Sequence, residues 1–191
     1  MASYSEAQNQ AGNQAGNQAA NQAGRGSRTI QLISFTVGNE EYGVDIMAVR
    51  EIRAWSETTP LPNTPEVVRG VINMRGAIVP IFDLRARFGM PRTEPTKYNV
   101  VIIVSVASRI VGILVDAVSD IITINEDEVR PMPEMEQVSG IGFMEGLITV
   151  GERMVGLIGL DRMFSGRMLE AAEMGQRPLL AGPSAESAGA A

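Results

Sequence analysis

The sequence predicts a mainly β fold, with two small five-stranded β-barrels packed together, short helices and a C-terminal helix. Two observations lead there. The apolar runs are short and are punctuated by Gly, Pro and Asn, the spacing of strands in a barrel or sandwich. The chain also matches itself: each half carries about five such strands, too few for two layers of sheet. Closing a curled sheet is then the economical way to bury one face and remove exposed edges.

The internal match has two blocks in the same order. GVINMRGAIVPIFDLRARF (70–88) lies over GLITVGERMVGLIGLDRMF (146–164) without a gap, with Gly70/Gly146, Ile72/Ile148, Val79/Val155, Leu84/Leu160 and Phe88/Phe164 identical. YGVDIMAVREI (42–52) lies over VGILVDAVSDI (111–121), matching Gly43/Gly112, Ala48/Ala117, Val49/Val118 and Ile52/Ile121. A strand-rich unit is therefore used twice. The first barrel is expected at about 28–90 and the second at about 96–165, within one domain spanning 28–174. Each alone would be marginal in size, so the two should share a packed interface.

Residues 1–27 repeat AGNQ-like tetrads, with no aromatic after Tyr4 and no apolar side chain larger than Ala after Met1. Burial there cannot offset an ordering cost of roughly 1–2 kcal/mol per residue, so a disordered tail is expected, as it is for 175–191. Thr29 to Val37 alternates as a strand, and Gly38 to Glu41 turns it back into Tyr42 to Ile46. Val49, Ile52 and Trp55 suggest a helical turn entering a strand. Pro60-Leu61-Pro62 forces extended backbone, and Pro65 to Val68 reads as a helical turn with Thr64 as N-cap. Val71 to Met74 and Ile78 to Phe82 form a hairpin across Arg75-Gly76, and a helical turn follows from Asp83. After a polar linker (91–95), Tyr98 to Ala107 and Ile110 to Val115 pair across Ser108-Arg109. Asn125 to Glu128 reads as a capped acidic turn, its carboxylates at the favourable end of the dipole. Pro131 to Gly142 is a loop, Phe143 to Val150 and Met154 to Gly159 the last hairpin, and 160–174 the C-terminal helix.

The chemistry is sparse. There is no cysteine and no histidine, which removes thiol nucleophiles, thiolate zinc sites, the Ser-His-Asp arrangement and the commonest metal ligand. Asp45, Asp83, Asp116 and Asp120 fall at strand ends, where Asp caps and turns. Gly140-Ile141-Gly142 lacks phosphate-loop spacing. The 16 cations are scattered through a chain of net charge −6, which disfavours nucleic acid. No basic-then-apolar leader opens the chain and no stretch of 18 apolar residues crosses it, so a cytoplasmic location without membrane insertion is expected. No cofactor or metal is expected. The residues read as a binding module, not an enzyme, with Arg75 at a hairpin tip as the prominent anchor. A small-molecule-binding double barrel, using the groove between barrels, is the alternative.

YGVDIMAVREI, LPNTPEVVRGVINMRGAIVPIFDL and VGILVDAVSDI resemble the chemotaxis coupling proteins of the CheW-like domain family, continuously from about residue 30 to 165. The resemblance implies two SH3-like five-stranded barrels. It also implies an adaptor joining the cytoplasmic tip of methyl-accepting chemoreceptors to the histidine kinase CheA in signalling arrays; an adaptor of a non-flagellar chemosensory pathway belongs to the same class. Carried over residue by residue, the receptor groove would use Val49, Glu51, Ile52, Asn73, Arg75, Gly76 and Ile121. The kinase contact would use Arg130, Glu134 and Met135, the last standing where the family often has an aromatic. The tail at 1–27 has no counterpart in that resemblance.

Overall fold

A computed structural model describes residues 28–132 and 142–164 of the chain. The expected tails (1–27 and 175–191), most of the expected C-terminal helix, and Glu134 and Met135 lie outside the described residues.

Among the described residues ten strands follow one another: β1 Thr29–Val37, β2 Glu40–Asp45, β3 Val49–Ala54, β4 Val68–Met74, β5 Ala77–Asp83, β6 Val100–Val106, β7 Arg109–Val115, β8 Ala117–Asn125, β9 Met144–Val150 and β10 Arg153–Ile158. They form two five-stranded sheets, ordered β8-β1-β2-β10-β9 and β3-β6-β7-β5-β4. The expected pair of small barrels is therefore present, but the expected division is not. The barrels are not consecutive stretches 28–90 and 96–165. Each takes its first two strands from one repeat and its other three from the other: β1 and β2 with β8, β9 and β10, and β6 and β7 with β3, β4 and β5. The repeats are interleaved. In each sheet they meet at one parallel pairing, β5 with β7 or β10 with β2, and at one antiparallel pairing, β3 with β6 or β1 with β8.

Central strands of both sheets are buried on both faces. Along β6, Val101 and Ile103 enter one cluster with Val79, Ile81 and Leu114, while Ile102, Val104 and Val106 enter another. In β1, Leu32 joins Ile122, Ile124, Ile148, Val155 and Leu157, whereas Ile33, Phe35 and Val37 join the second cluster. The period of two thus splits each apolar run between a barrel interior and a large core shared by both barrels. Phe35, Phe82, Leu84 and Met163 are fully buried in that shared core. Phe82 meets Phe164 edge-on at 4.9 Å, and Tyr42, Phe88 and Phe143 pack in series at 4.8 and 5.2 Å. Truncating such a phenylalanine typically costs about 3–5 kcal/mol.

Each barrel is closed by one two-bond backbone bridge. Thr59 exchanges both hydrogen bonds with Val71 at 2.9 Å, and Arg130 exchanges both with Leu147 at 2.8 Å. Beside each bridge stands a repeated glycine. A Cβ at Gly70 would sit 2.3 Å from the Thr59 carbonyl oxygen, and one at Gly146 would sit 2.6 Å from that of Arg130. Gly70 also has φ +136°, a conformation open to glycine. The Gly70/Gly146 identity is thus the clearance for barrel closure.

Local expectations are partly revised. The stretch after β2 is a short 3₁₀ turn, Ile46–Ala48, with Asp45 accepting from the Met47 amide at 2.8 Å; extended β3 then begins at once. Residues 65–68 form a β-turn closed by Val68 N–H to Pro65 O, and the Thr64 hydroxyl donates to Leu61 O instead of capping a helix. The β6–β7 turn is Ala107-Ser108, both with positive φ, one residue earlier than expected. β8 has no counterpart among the expected strands, because six of its nine residues are exposed and blur the apolar pattern.

We expect Gly70→Ala to lower the unfolding free energy by about 3 kcal/mol or more, since backbone must shift to admit the methyl. Gly142→Ala, with nothing within 4 Å of the added carbon, should be near neutral. Urea titration of both variants checks this.

Candidate functional site

The seam between the barrels is flanked by two edge strands that share one irregularity. In β3, Val49 pairs with Val104 and Glu51 with Ile103, so Arg50 is an extra residue, a β-bulge. Paired residues point to the same face, so Val49 and Ile52, three apart, both lie on the shared-core side with Val104 and Ile102. Glu51 turns to the other side with Ile103 and is half-buried. In β8 the register slips likewise: Ile33 pairs with Ile121 and Phe35 with Val118, so Val118 and Ile121 share the shared-core face. Val49 and Val118 pack against that core, while Ile52 and Ile121 stay 42% and 52% exposed. An apolar side chain is thus left open at the same place on both repeats.

Sequence reasoning puts Val49, Glu51 and Ile52 on the first barrel and Ile121 on the second. β3 and β8 do lie in different sheets, but each sheet is completed by the first two strands of the other repeat: β3 stands with β6 and β7, and β8 with β1 and β2. Val118 is the bulge residue that sequence reasoning does not single out, although its identity with Val49 in the internal match is the signal for it.

Asn73, Arg75 and Gly76 do come together. Met74 pairs with Ala77, leaving Arg75-Gly76 as a two-residue hairpin turn. Both have positive φ, 51° and 91°, the type I′ pattern, which favours Asn or Gly at the first position. The Asn73 Oδ1 accepts from the Gly76 amide at 2.9 Å and locks the tip. Arg75 is exposed, and its side chain makes no hydrogen bond or ion pair among the described residues. The matching β9–β10 turn has positive φ at Gly151 alone, the type II′ pattern. The two hairpins differ in turn type, and only one carries an arginine at its tip.

The base of the Arg75 hairpin is held rigidly. Asp83, fully buried, accepts from Thr93 N–H and Oγ1 at 2.8 Å each and from the Arg85 amide at 3.0 Å. Arg69 on β4 reaches the same carboxylate at 3.7 Å and lies over the Trp55 ring at 5.7 Å. Burial, and secondarily the charge of Arg92, lowers the Arg69 pKa from its ordinary value, which leaves the guanidinium charged at physiological pH. Burial also lowers the pKa of Arg87, which lies 4.8 Å over Phe143. Asp116 accepts from the Gly38 amide at 2.6 Å and from Arg85 at 3.4 Å. These aspartates cap turns and tie segments, as expected from their positions at strand ends.

Arg130 is exposed on the bridge to β9. Among the described residues no cluster of three or more acidic side chains could hold a metal ion, and no helix is long and apolar enough to cross a membrane. A partly open cavity of about 490 Å³ is lined by Arg28, Leu32, Asp45, Glu126, Glu145 and Ile158, beside the sheet of β1, β2, β8, β9 and β10.

Residues 31–168 match the family model described as CheW-like domain. The chain is 47% identical over 142 residues to the chemotaxis protein CheW of Rhizobium meliloti, covering 74% of this chain and 92% of that one. It is 41% identical over 135 residues to the chemotaxis protein CheW of Klebsiella aerogenes, covering 71% and 81%. The crystal structure of the scaffolding protein TtCheW from Thermoanaerobacter tengcongensis superposes with TM-score 0.68 at 33% identity, over 74% of this chain and 96% of that one.

Arg75→Asn should relieve the positive φ and raise stability by about 0.5–1 kcal/mol, read as a higher midpoint in thermal unfolding.

Proposed function

The chain belongs to the CheW-like domain family and takes a chemotaxis adaptor role, and we propose that it couples the cytoplasmic tip of methyl-accepting chemoreceptors to the histidine kinase CheA without performing chemistry itself. The observation that carries the receptor half is the seam: Ile52 and Ile121 stand exposed at equivalent bulges, each beside a valine seated on the shared core. A receptor tip is a helical hairpin, and an apolar helix face laid in such a groove is a standard mode of recognition. Val49 and Ile52 from one strand and Ile121 from the other supply apolar contact, and Glu51 lies at the margin.

Arg75 supplies direction. Its turn is preformed by Asn73 and Gly76, so little ordering entropy opposes its engagement of a carboxylate or a helix-terminal carbonyl. The kinase half is assigned to Arg130, Glu134 and Met135 around the segment that follows β8. Signalling is then a shift in kinase state populations carried through a bridging protein. The protein works in the cytoplasm, recruited to receptor arrays, and needs no cofactor. A pathway other than flagellar chemotaxis would use the same surfaces.

Arg75→Ala should weaken binding to a soluble receptor signalling-tip fragment by about 2 kcal/mol, roughly thirtyfold, with the fold intact. Titration calorimetry measures it, and reconstituted kinase activity with receptor should fall in parallel. Wild-type affinity in this variant would remove Arg75 from the groove; no effect of the native protein on the kinase would end the coupling reading.

A further inference from the structure

The two bulges are alike in register but not in what supports them. Opposite the β3 bulge stands Ile103, an apolar side chain in a barrel interior. The equivalent place opposite the β8 bulge is Ser34, fully buried although polar. Its hydroxyl donates to the Asp120 carbonyl oxygen at 3.2 Å and accepts from the Asp120 amide at 3.1 Å. The register shift leaves Asp120 without a ladder partner on β1, and here one side chain takes up both of its backbone groups. The next residue is fixed as well, since the Ile121 amide donates to the Asp120 carboxylate at 2.7 Å.

We infer that Ser34 is a positioning residue for partner binding: by gripping both backbone groups of Asp120 it fixes the β8 bulge that turns Ile121 onto the seam. The inference rests on the receptor-groove reading above and deepens it. Three points separate this from core filling. A serine in a barrel interior contributes little apolar area, and the other repeat fills the equivalent place with isoleucine. Both bonds go to one residue, across 86 positions of sequence. That residue adjoins the exposed isoleucine on the seam. Without the hydroxyl, Asp120 would turn to water and the bulge could slip, which by the period of two would carry Ile121 to the other face.

The test is a double-mutant cycle read by titration with a soluble receptor signalling-tip fragment. Ile121→Ala alone should weaken binding about tenfold, and Ser34→Ala alone about fivefold. Combined with Ile121→Ala, the serine change should add less than about twofold; combined with Ile52→Ala on the other strand it should keep its full effect. In the free protein, amide exchange should accelerate at Asp120 and Ile121 in Ser34→Ala while β6 and β7 keep their protection. Equal losses in the Ile52→Ala and Ile121→Ala backgrounds, or wild-type affinity and exchange in Ser34→Ala, would overturn the inference alone. Wild-type binding by Ile121→Ala would overturn the groove reading and this inference with it. Should Ser34→Ala unfold, Ser34→Cys, close in size and a weak donor, takes its place with the same outcomes.

Discussion

Two backbone bridges set the rest of this structure: Thr59 with Val71, and Arg130 with Leu147. A five-stranded sheet that is not closed offers two rows of unpaired backbone groups at its edges. Each bridge draws the segment leaving one edge strand, β3 or β8, onto the far edge strand, β4 or β9. The approach is too close for a side chain, so both repeats keep a glycine there. Once the sheets curl, their strands acquire an inner and an outer face, and the outer faces of the two barrels are what pack together. The shared core, the seam and the exposed isoleucines are all consequences of that curl.

The interleaving of repeats has a mechanical result. Each sheet holds strands of both repeats, joined through β5–β7 and β3–β6 in one and through β10–β2 and β1–β8 in the other. Neither half of the chain can complete a barrel alone, and drawing the halves apart would break ladders in both sheets at once. The domain behaves as one cooperative unit with two edges of matched geometry.

Much of this is legible in the sequence. The two matched blocks announce a duplicated β unit, and the Gly70/Gly146 identity marks its key clearance, though not the bridge that demands it. What the blocks cannot convey is partnership: an internal match says which segments are alike, not which are adjacent, and the same alignment fits consecutive barrels or interleaved ones. Hence most strands can be read from the chain while their barrel membership cannot. β8 escapes because its outer residues Ser119, Asp120, Thr123 and Asn125 dilute the apolar alternation. The bulges are illegible for a related reason. A bulge places Val49 and Ile52 three residues apart on one face, a spacing that reads as helical when only the sequence is in hand. The resemblance to a known family names Val49, Ile52, Arg75 and Ile121 together; geometry then supplies the reason that three of them stand at a common seam and the fourth at a locked turn.

Duplicated folds also permit an argument that single folds do not. Positions that serve architecture should be repeated, since both copies face the same mechanical problem, and the bridging glycines and bulge valines are repeated. Positions that serve one partner have no reason to be. Three departures stand out in the described residues. Arg75-Gly76 forms a type I′ turn where Gly151-Glu152 follows the type II′ pattern, the buried carboxylate of Asp83 stands where Gly159 is, and Ser34 replaces the isoleucine of the other copy. Two of these run against local preference: an arginine takes positive φ, and a hydroxyl occupies a barrel interior. The third buries a carboxylate at the base of the arginine hairpin, where it holds Arg69 and Thr93. All three fall on segments that build or brace the seam and its neighbouring turn. Kept symmetry is thus mostly architecture, the exposed pair Ile52 and Ile121 excepted, and broken symmetry marks where the two copies solve different local problems.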